Sequence, residues 1–349
     1  MIKSRRFVFE LVACSLFALF LSSSNSVAFG QEPAPPPFPP PGKLVDIGGW
    51  RLHLNCTGQS NASQPTVILE AGMGDFSVEW SLVQPGVAKS ARVCSYDRGG
   101  DGWSDMGPHP RTFHQIVYEL HTLLDKAGIK PPLILVGHSY GGWLVRLYGS
   151  TYPADVVGMV LVEAGADNPW RMLSDGKTVR ASDLVTKRQV PQVKVSDPLR
   201  VSDIPPTALA QMKAGLAESV RTANDPPRNK LPLDAQRMRS WTLGQLGHIA
   251  AAVNPFENEE LKELRDQRAS SEYPLGAMPL IVITRGISEK EGPDGEAFAA
   301  EHLQEHTALA KLSRKGKLII ATHSGHHVQL DEPELVVSSI REVLKSVPK

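Results

Sequence analysis

The stretch Leu133-Ile134-Leu135-Val136-Gly137-His138-Ser139-Tyr140-Gly141-Gly142-Trp143 reads as a strand that runs straight into a helix. Leu133 to Val136 is wholly apolar after Pro131-Pro132, the pattern of a central strand buried on both faces. From Gly142 onward Trp143, Leu144, Leu147 and Tyr148 recur at helical spacing, so the chain reverses within a few residues. Gly137 and Gly141 flank Ser139 at two residues on either side, where the missing Cβ atoms let strand and helix approach closely and leave the serine in a strained, outward position.

The surrounding chain bounds what such a turn can serve. At 349 residues there is room for one large α/β domain with an insertion. Lys plus Arg equals Asp plus Glu at 37 each, so no net field favours nucleic acid, and small neutral partners fit better. Lys3, Arg5 and Arg6 precede an apolar run from Phe7 to Leu21, and Ala28-Phe29-Gly30 offers a cleavage site. Residues 1–30 therefore read as an export signal, too short in its apolar part for a spanning helix. An uncleaved anchor, or a lipid on Cys14 of Leu11-Val12-Ala13-Cys14, is the alternative. Residues 31–42 form a proline-rich linker of extended polyproline type.

The G-x-S-x-G pentapeptide in its strand–turn–helix setting resembles the nucleophile elbow of the α/β-hydrolase fold family. That resemblance implies a mostly parallel eight-stranded sheet with helices on both faces and a helical cap inserted between two strands. The core then occupies 43–167 and 274–349, and the cap 168–273. Other segments match. Lys43 to Ile47 and Trp50 to Cys56 flank Gly48-Gly49 as an opening hairpin, and Pro65 to Glu70 is a third strand. Asp97 to Ser104 resembles the family's D-x-x-G-x-G-x-S loop, read as scaffold. Between Asn168 and Tyr273 no strand is expected, and Ala208 to Val220 and Met238 to Val253 read as helices. Met212, Leu216, Trp241, Leu246 and Ile249 are candidates to roof an acyl pocket or to form the cap's own small core.

The resemblance also assigns roles. A serine hydroxyl needs an imidazole to take its proton and a carboxylate to orient that imidazole, in the chain order Ser, acid, His. Ser139 is the nucleophile, and His326, which follows Gly325 and precedes Asp331-Glu332-Pro333, matches the family's histidine. The acid stays open between Glu163, at the end of the strand Val156 to Val162, and Glu289, past Thr284-Arg285-Gly286. Glu163 is preferred because no long loop is needed to position it; Asp167 and Asp294 are more remote choices. The oxyanion donors are the backbone N–H groups of Met73 and Tyr140, although Ala71-Gly72 replaces the family's usual His-Gly. The family's strand order sets Cys56 beside Cys94, either as a disulfide or as two thiols.

His302 and His306 have the spacing of a zinc pair, but Leu303 follows His302, so there is no H-E-x-x-H base, and no metal or other cofactor is assigned. The expectation is an exported serine hydrolase that cleaves small to medium carboxylic esters, with oligomeric state open. The alternatives are a peptidase, lactonase, carbon–carbon hydrolase or perhydrolase with the same three groups, or an inactive binding module of this fold.

Overall fold

The structure, a computed structural model, describes residues 37–61, 64–288 and 293–347; the segment expected to be an export signal and the first half of the linker lie outside them. Its strands are β1 (Lys43–Asp46), β2 (Arg51–Thr57), β3 (Thr66–Glu70), β4 (Val93–Tyr96), β5 (Leu133–His138), β6 (Val156–Val162), β7 (Trp170–Met172), β8 (Thr178–Arg180), β9 (Leu280–Arg285) and β10 (Gly316–Ala321). Eight of them form one sheet in the order β1-β2-β4-β3-β5-β6-β9-β10. Pairing is antiparallel for β1/β2 and β2/β4 and parallel elsewhere.

The apolar run of β5 is explained by what covers it. Leu133 and Leu135 pack with Ile116, Leu120, Leu123 and Leu144 from the helices Phe113–Lys126 and Tyr140–Thr151. Ile134 and Val136 face the other way, onto Val336, Ile340 and Val343 of the helix Pro333–Ser346. Alternate residues of a strand point to opposite faces, so a strand covered on both sides must be apolar throughout. Each such side chain contributes about 1.5–3 kcal/mol when fully buried.

Strand order reverses at β3, which has β4 on one side and β5 on the other. A crevice opens at the carboxyl ends of strands where connections diverge in this way. Glu70, at the end of β3, and His138, at the end of β5, therefore mark the place for chemistry. On the other side of β4, Cys56 of β2 lies directly opposite Cys94, and the two are joined as a disulfide.

Between β6 and β9 the chain leaves the sheet, and two expectations need correction. A short antiparallel hairpin, β7 with β8, occurs where no strand was expected. It carries only three residues per strand, too few for period-two alternation to stand out. The helix expected over Met238 to Val253 is two helices, Leu233–Leu243 and Leu246–Ala251, because Gly244 caps the first. A further helix, Glu257–Ala269, escaped periodicity because few of its residues are apolar. Its Glu260 accepts hydrogen bonds from the backbone N–H groups of Phe113 and His114 at 2.9 and 3.1 Å, which ties the insertion to the positive end of a core helix. Trp241 packs on Trp103 at 5.7 Å, beside Phe76 and Leu330, so it joins insertion to core at a seam. No helix among the described residues is long and apolar enough to cross a membrane.

Candidate active site

Ser139 sits at φ 51° and ψ −118°, a conformation that side-chain-bearing residues rarely adopt. Glycine is required on both sides. A Cβ on Gly137 would lie 2.4 Å from the Gly141 carbonyl oxygen, and one on Gly141 would lie 2.6 Å from that of Glu70. Ser139 is the N-cap of the helix Tyr140–Thr151, so the Tyr140 N–H is among the helix-terminal donors that have no partner within the helix.

His326 reaches this serine from the far end of the chain, with Nε2 3.0 Å from Oγ. Its loop is held by the acidic residues that follow. Asp331 accepts from Gly325 N at 3.0 Å, and Glu332 accepts from His323 N and Ser324 Oγ, both at 2.8 Å. His138, which precedes the serine, donates Nε2–H to the His326 carbonyl at 2.9 Å. Burial first, and next the neighbouring His326, brings the His138 pKa down to about 4, so it serves as a neutral strut.

Glu163 follows β6 at φ 47°, again left-handed, and its side chain is fully buried. Its Oε1 lies 2.8 Å from His302 Nε2, 3.2 Å from Arg285 Nη1 and 3.7 Å from His326 Nδ1. Its Oε2 accepts from Arg285 N at 2.8 Å. Burial alone would raise its pKa, but the ring nitrogens of His302, His326 and His306 gathered around it outweigh that and hold it well below the usual range. The carboxylate is thus ionised beside His326, at a separation slightly longer than a hydrogen bond, as in many unliganded sites. Glu289 and the Asp294 side chain lie outside the described residues. Asp167 is engaged by Arg146 and Arg268, which makes it a structural ion-pair partner.

Met73 lies in the loop after β3, and the conformation of that loop is set by Arg98. The guanidinium donates to the Glu70 carboxylate and the Ala71 carbonyl, both at 2.7 Å, to the Gly72 carbonyl, and to the Asp75 carbonyl at 3.0 Å. Arg98 also faces Asp101, which pairs with His248 of the insertion at 2.7 Å. The charged residues of the Asp97–Ser104 loop thus fix loop geometry, as expected for scaffold. A cleft of about 530 Å³ opens at His326, with Arg228, Lys230, His327 and Asp331 on its wall. Its cations are paired, Arg228 with Asp75 at 3.2 Å and Lys230 with Asp331 at 2.6 Å.

A sequence model of the family described as alpha/beta hydrolase fold matches residues 65–191, from β3 through the serine turn and β6 into the insertion. The chain has the α/β-hydrolase fold. An AB hydrolase superfamily protein of Gibberella zeae is 25% identical over 323 residues, 85% of this chain and 92% of that protein. A thermophilic esterase from Thermogutta terrifontis superposes with a TM-score of 0.59 at 17% identity, over 88% of this chain and 100% of that one. An enol-lactonase from Burkholderia xenovorans LB400 gives 0.56 at 15%, over 87% and 100%. Likeness at that level of identity is a likeness of fold.

Several neighbours of the site escaped sequence reasoning. His302, His138 and Arg285 touch Glu163 or His326 but belong to different elements. Only the i, i+4 spacing of His302 and His306 was visible beforehand, and it carried no hint of a third partner.

Proposed function

We propose that this chain is a serine hydrolase of neutral carboxylic esters, with Ser139 as nucleophile, His326 as general base and Glu163 as the acid. The observation that carries this reading is the 3.0 Å approach of His326 Nε2 to Ser139 Oγ on a strained turn. In the reaction, His326 takes the hydroxyl proton as Oγ attacks the carbonyl carbon. The tetrahedral oxyanion is held by the N–H groups of Tyr140 and Met73, and Glu163 stabilises the imidazolium. The imidazolium then protonates the departing alcohol, and water, deprotonated by His326, releases the acid from the acyl-enzyme. The sequence of steps consumes no cofactor.

Paired charges on the wall of the cleft support a neutral substrate, since an anionic one would have to compete with Asp75 and Asp331 for Arg228 and Lys230. Residues 168–273 would set acyl preference. Export is part of the proposal, supported by the basic and apolar N-terminal pattern and by the Cys56–Cys94 disulfide, which suits an oxidising compartment.

The test is the intact mass of the protein before and after treatment with a fluorophosphonate probe, with Ser139→Ala alongside. One adduct, lost in the variant, is expected, together with loss of nearly all ester turnover. Absence of any adduct in the wild type would overturn the reading in favour of a binding module on this fold.

A further inference from the structure

We propose that Glu163, His302 and His306 bind one divalent transition-metal ion of the zinc class, and that filling this site draws the carboxylate off His326 and silences Ser139. The silencing half rests on the serine-hydrolase reading; the binding half does not.

The donor set comes from two elements. His302 and His306 stand one turn apart on the helix Pro293–Ala310, hence on one face, and that face meets Glu163 at the end of β6. His302 Nε2 is 2.8 Å from Oε1, and His306 Nδ1 is 3.9 Å from Oε2. The three ligand atoms all lie within 4.8 Å of one another. Tetrahedral zinc with nitrogen and oxygen ligands keeps them about 3.3 Å apart, so small rotations suffice.

Hydrogen-bond geometry strengthens the case. His306 donates Nε2–H to the Ala164 carbonyl at 2.9 Å, which leaves Nδ1 a lone pair. That lone pair faces the Glu163 carboxylate, with Oε2 3.9 Å away. Two fully buried acceptors thus point at each other. His306 Nδ1, His302 Nε2 and Glu163 Oε1 all lack a hydrogen bond of good geometry. A proton on His302 Nε2 would satisfy Oε1 and leave Nδ1 of His306 against the carboxylate. A metal cation relieves all three atoms. The Nε2–H to backbone carbonyl contact is also what fixes tautomer and orientation in metal-ligating histidines.

Two imidazoles and one carboxylate, with a fourth position for water, suit Zn²⁺ or Co²⁺ and not Mg²⁺ or Ca²⁺. The Arg285 guanidinium, 3.2 Å from Oε1, repels a cation, so binding is weaker than in a closed structural zinc site and reversible. His302 and His326 share Oε1, at 2.8 and 3.7 Å. A metal on the His302 side therefore competes directly with the imidazole that activates the serine.

The test titrates EDTA-treated protein with Co²⁺, followed by visible absorption, and then displaces it with Zn²⁺. Wild type, His306→Gln and His302→Gln are compared, each checked by circular dichroism. His302, 17% exposed in its side chain, is the variant that folds most safely. In parallel, the rate of fluorophosphonate labelling is measured with and without Zn²⁺, each protein serving as its own reference. The expected result is one tetrahedral Co²⁺ per chain, displaced by Zn²⁺ and unaffected by Mg²⁺, and lost in both variants. Saturating Zn²⁺ should slow labelling of the wild type by about tenfold or more and leave the ratio in the variants near one. Absence of saturable Co²⁺ binding, or its survival in both variants, overturns the site even where labelling is normal. Binding without any change in labelling overturns the silencing. A wild type that does not label without metal fails the hydrolase reading, while the Co²⁺ titration still decides the site.

Discussion

Lowering the pH from 7 to 5 should weigh against the folded state at each histidine that is buried neutral. His138 and His306 are held to about 4, and His109 to about 3, in each case mainly by burial, against an ordinary value of 6.5. A histidine whose folded pKa is depressed favours the folded state above the unfolded pKa, and that stability is lost as pH falls below it, because the unfolded chain takes up the proton. At pH 5 each unfolded imidazole is about 97% protonated, while its folded counterpart is mostly neutral, so each costs about 1.9 kcal/mol relative to pH 7. The result barely depends on whether the folded value is 3 or 4. Three such groups give about 5–6 kcal/mol, comparable with the whole stability of many domains. His327, also lowered by burial, adds to this. His114, raised by its hydrogen bond to Glu263, works in the opposite direction, and so do Glu79 and Glu260, which burial pushes up to about 7. Each of these two carboxyls holds a proton in the folded state that the unfolded chain has released, and each returns about 2 kcal/mol as pH falls from 7 to 5. Glu163, held well below the usual range, contributes stability that is present above about 4.5 and is lost only below it, outside this window. Urea unfolding at half-unit steps in EDTA is the assay. His138→Gln should reduce the slope near pH 5 by about 1.2 kcal/mol per pH unit. A His138→Gln protein whose slope equals that of the wild type would refute the reasoning.

The remaining expectations concern clamps on the fold. Arg98→Met leaves the Glu70 carboxylate buried without its partner and should cost about 3–5 kcal/mol. It also releases the loop that presents Met73, so kcat should fall about 10²-fold with a smaller change in KM; unchanged kcat in a folded variant would remove the loop from the mechanism. The Cys56–Cys94 bond closes a loop with a sequence separation of 38, so the double variant Cys56→Ala, Cys94→Ala should lose about 4 kcal/mol in urea unfolding. A loss below about 1 kcal/mol would mean that the reduced chain is already constrained.

Much of the fold was legible in local sequence because its determinants are local. An apolar run such as Leu133 to Val136 dictates burial on both faces, and glycines two residues either side of Ser139 dictate the turn, since no larger residue fits there. The hairpin at Gly48-Gly49 and the strand that delivers Glu163 were legible for the same reason. The insertion was less so. Its short hairpin has too few residues for a period, and the helix Glu257–Ala269 is defined by buried carboxylates such as Glu260, whose partners lie on another element.

From its sequence alone the chain determined the strand-turn-helix around Ser139, the histidine loop ahead of Asp331-Glu332-Pro333 and the short list of carboxylates within reach. Tertiary structure decided which groups surround Glu163. It set His302, His306, His326 and Arg285 around one buried carboxylate, and it gave Arg98 the loop of Met73 to hold. These contacts join residues far apart in the chain. Burial, hydrogen-bond geometry and the pKa shifts that follow from them exist only once the sheet has brought its strand ends together.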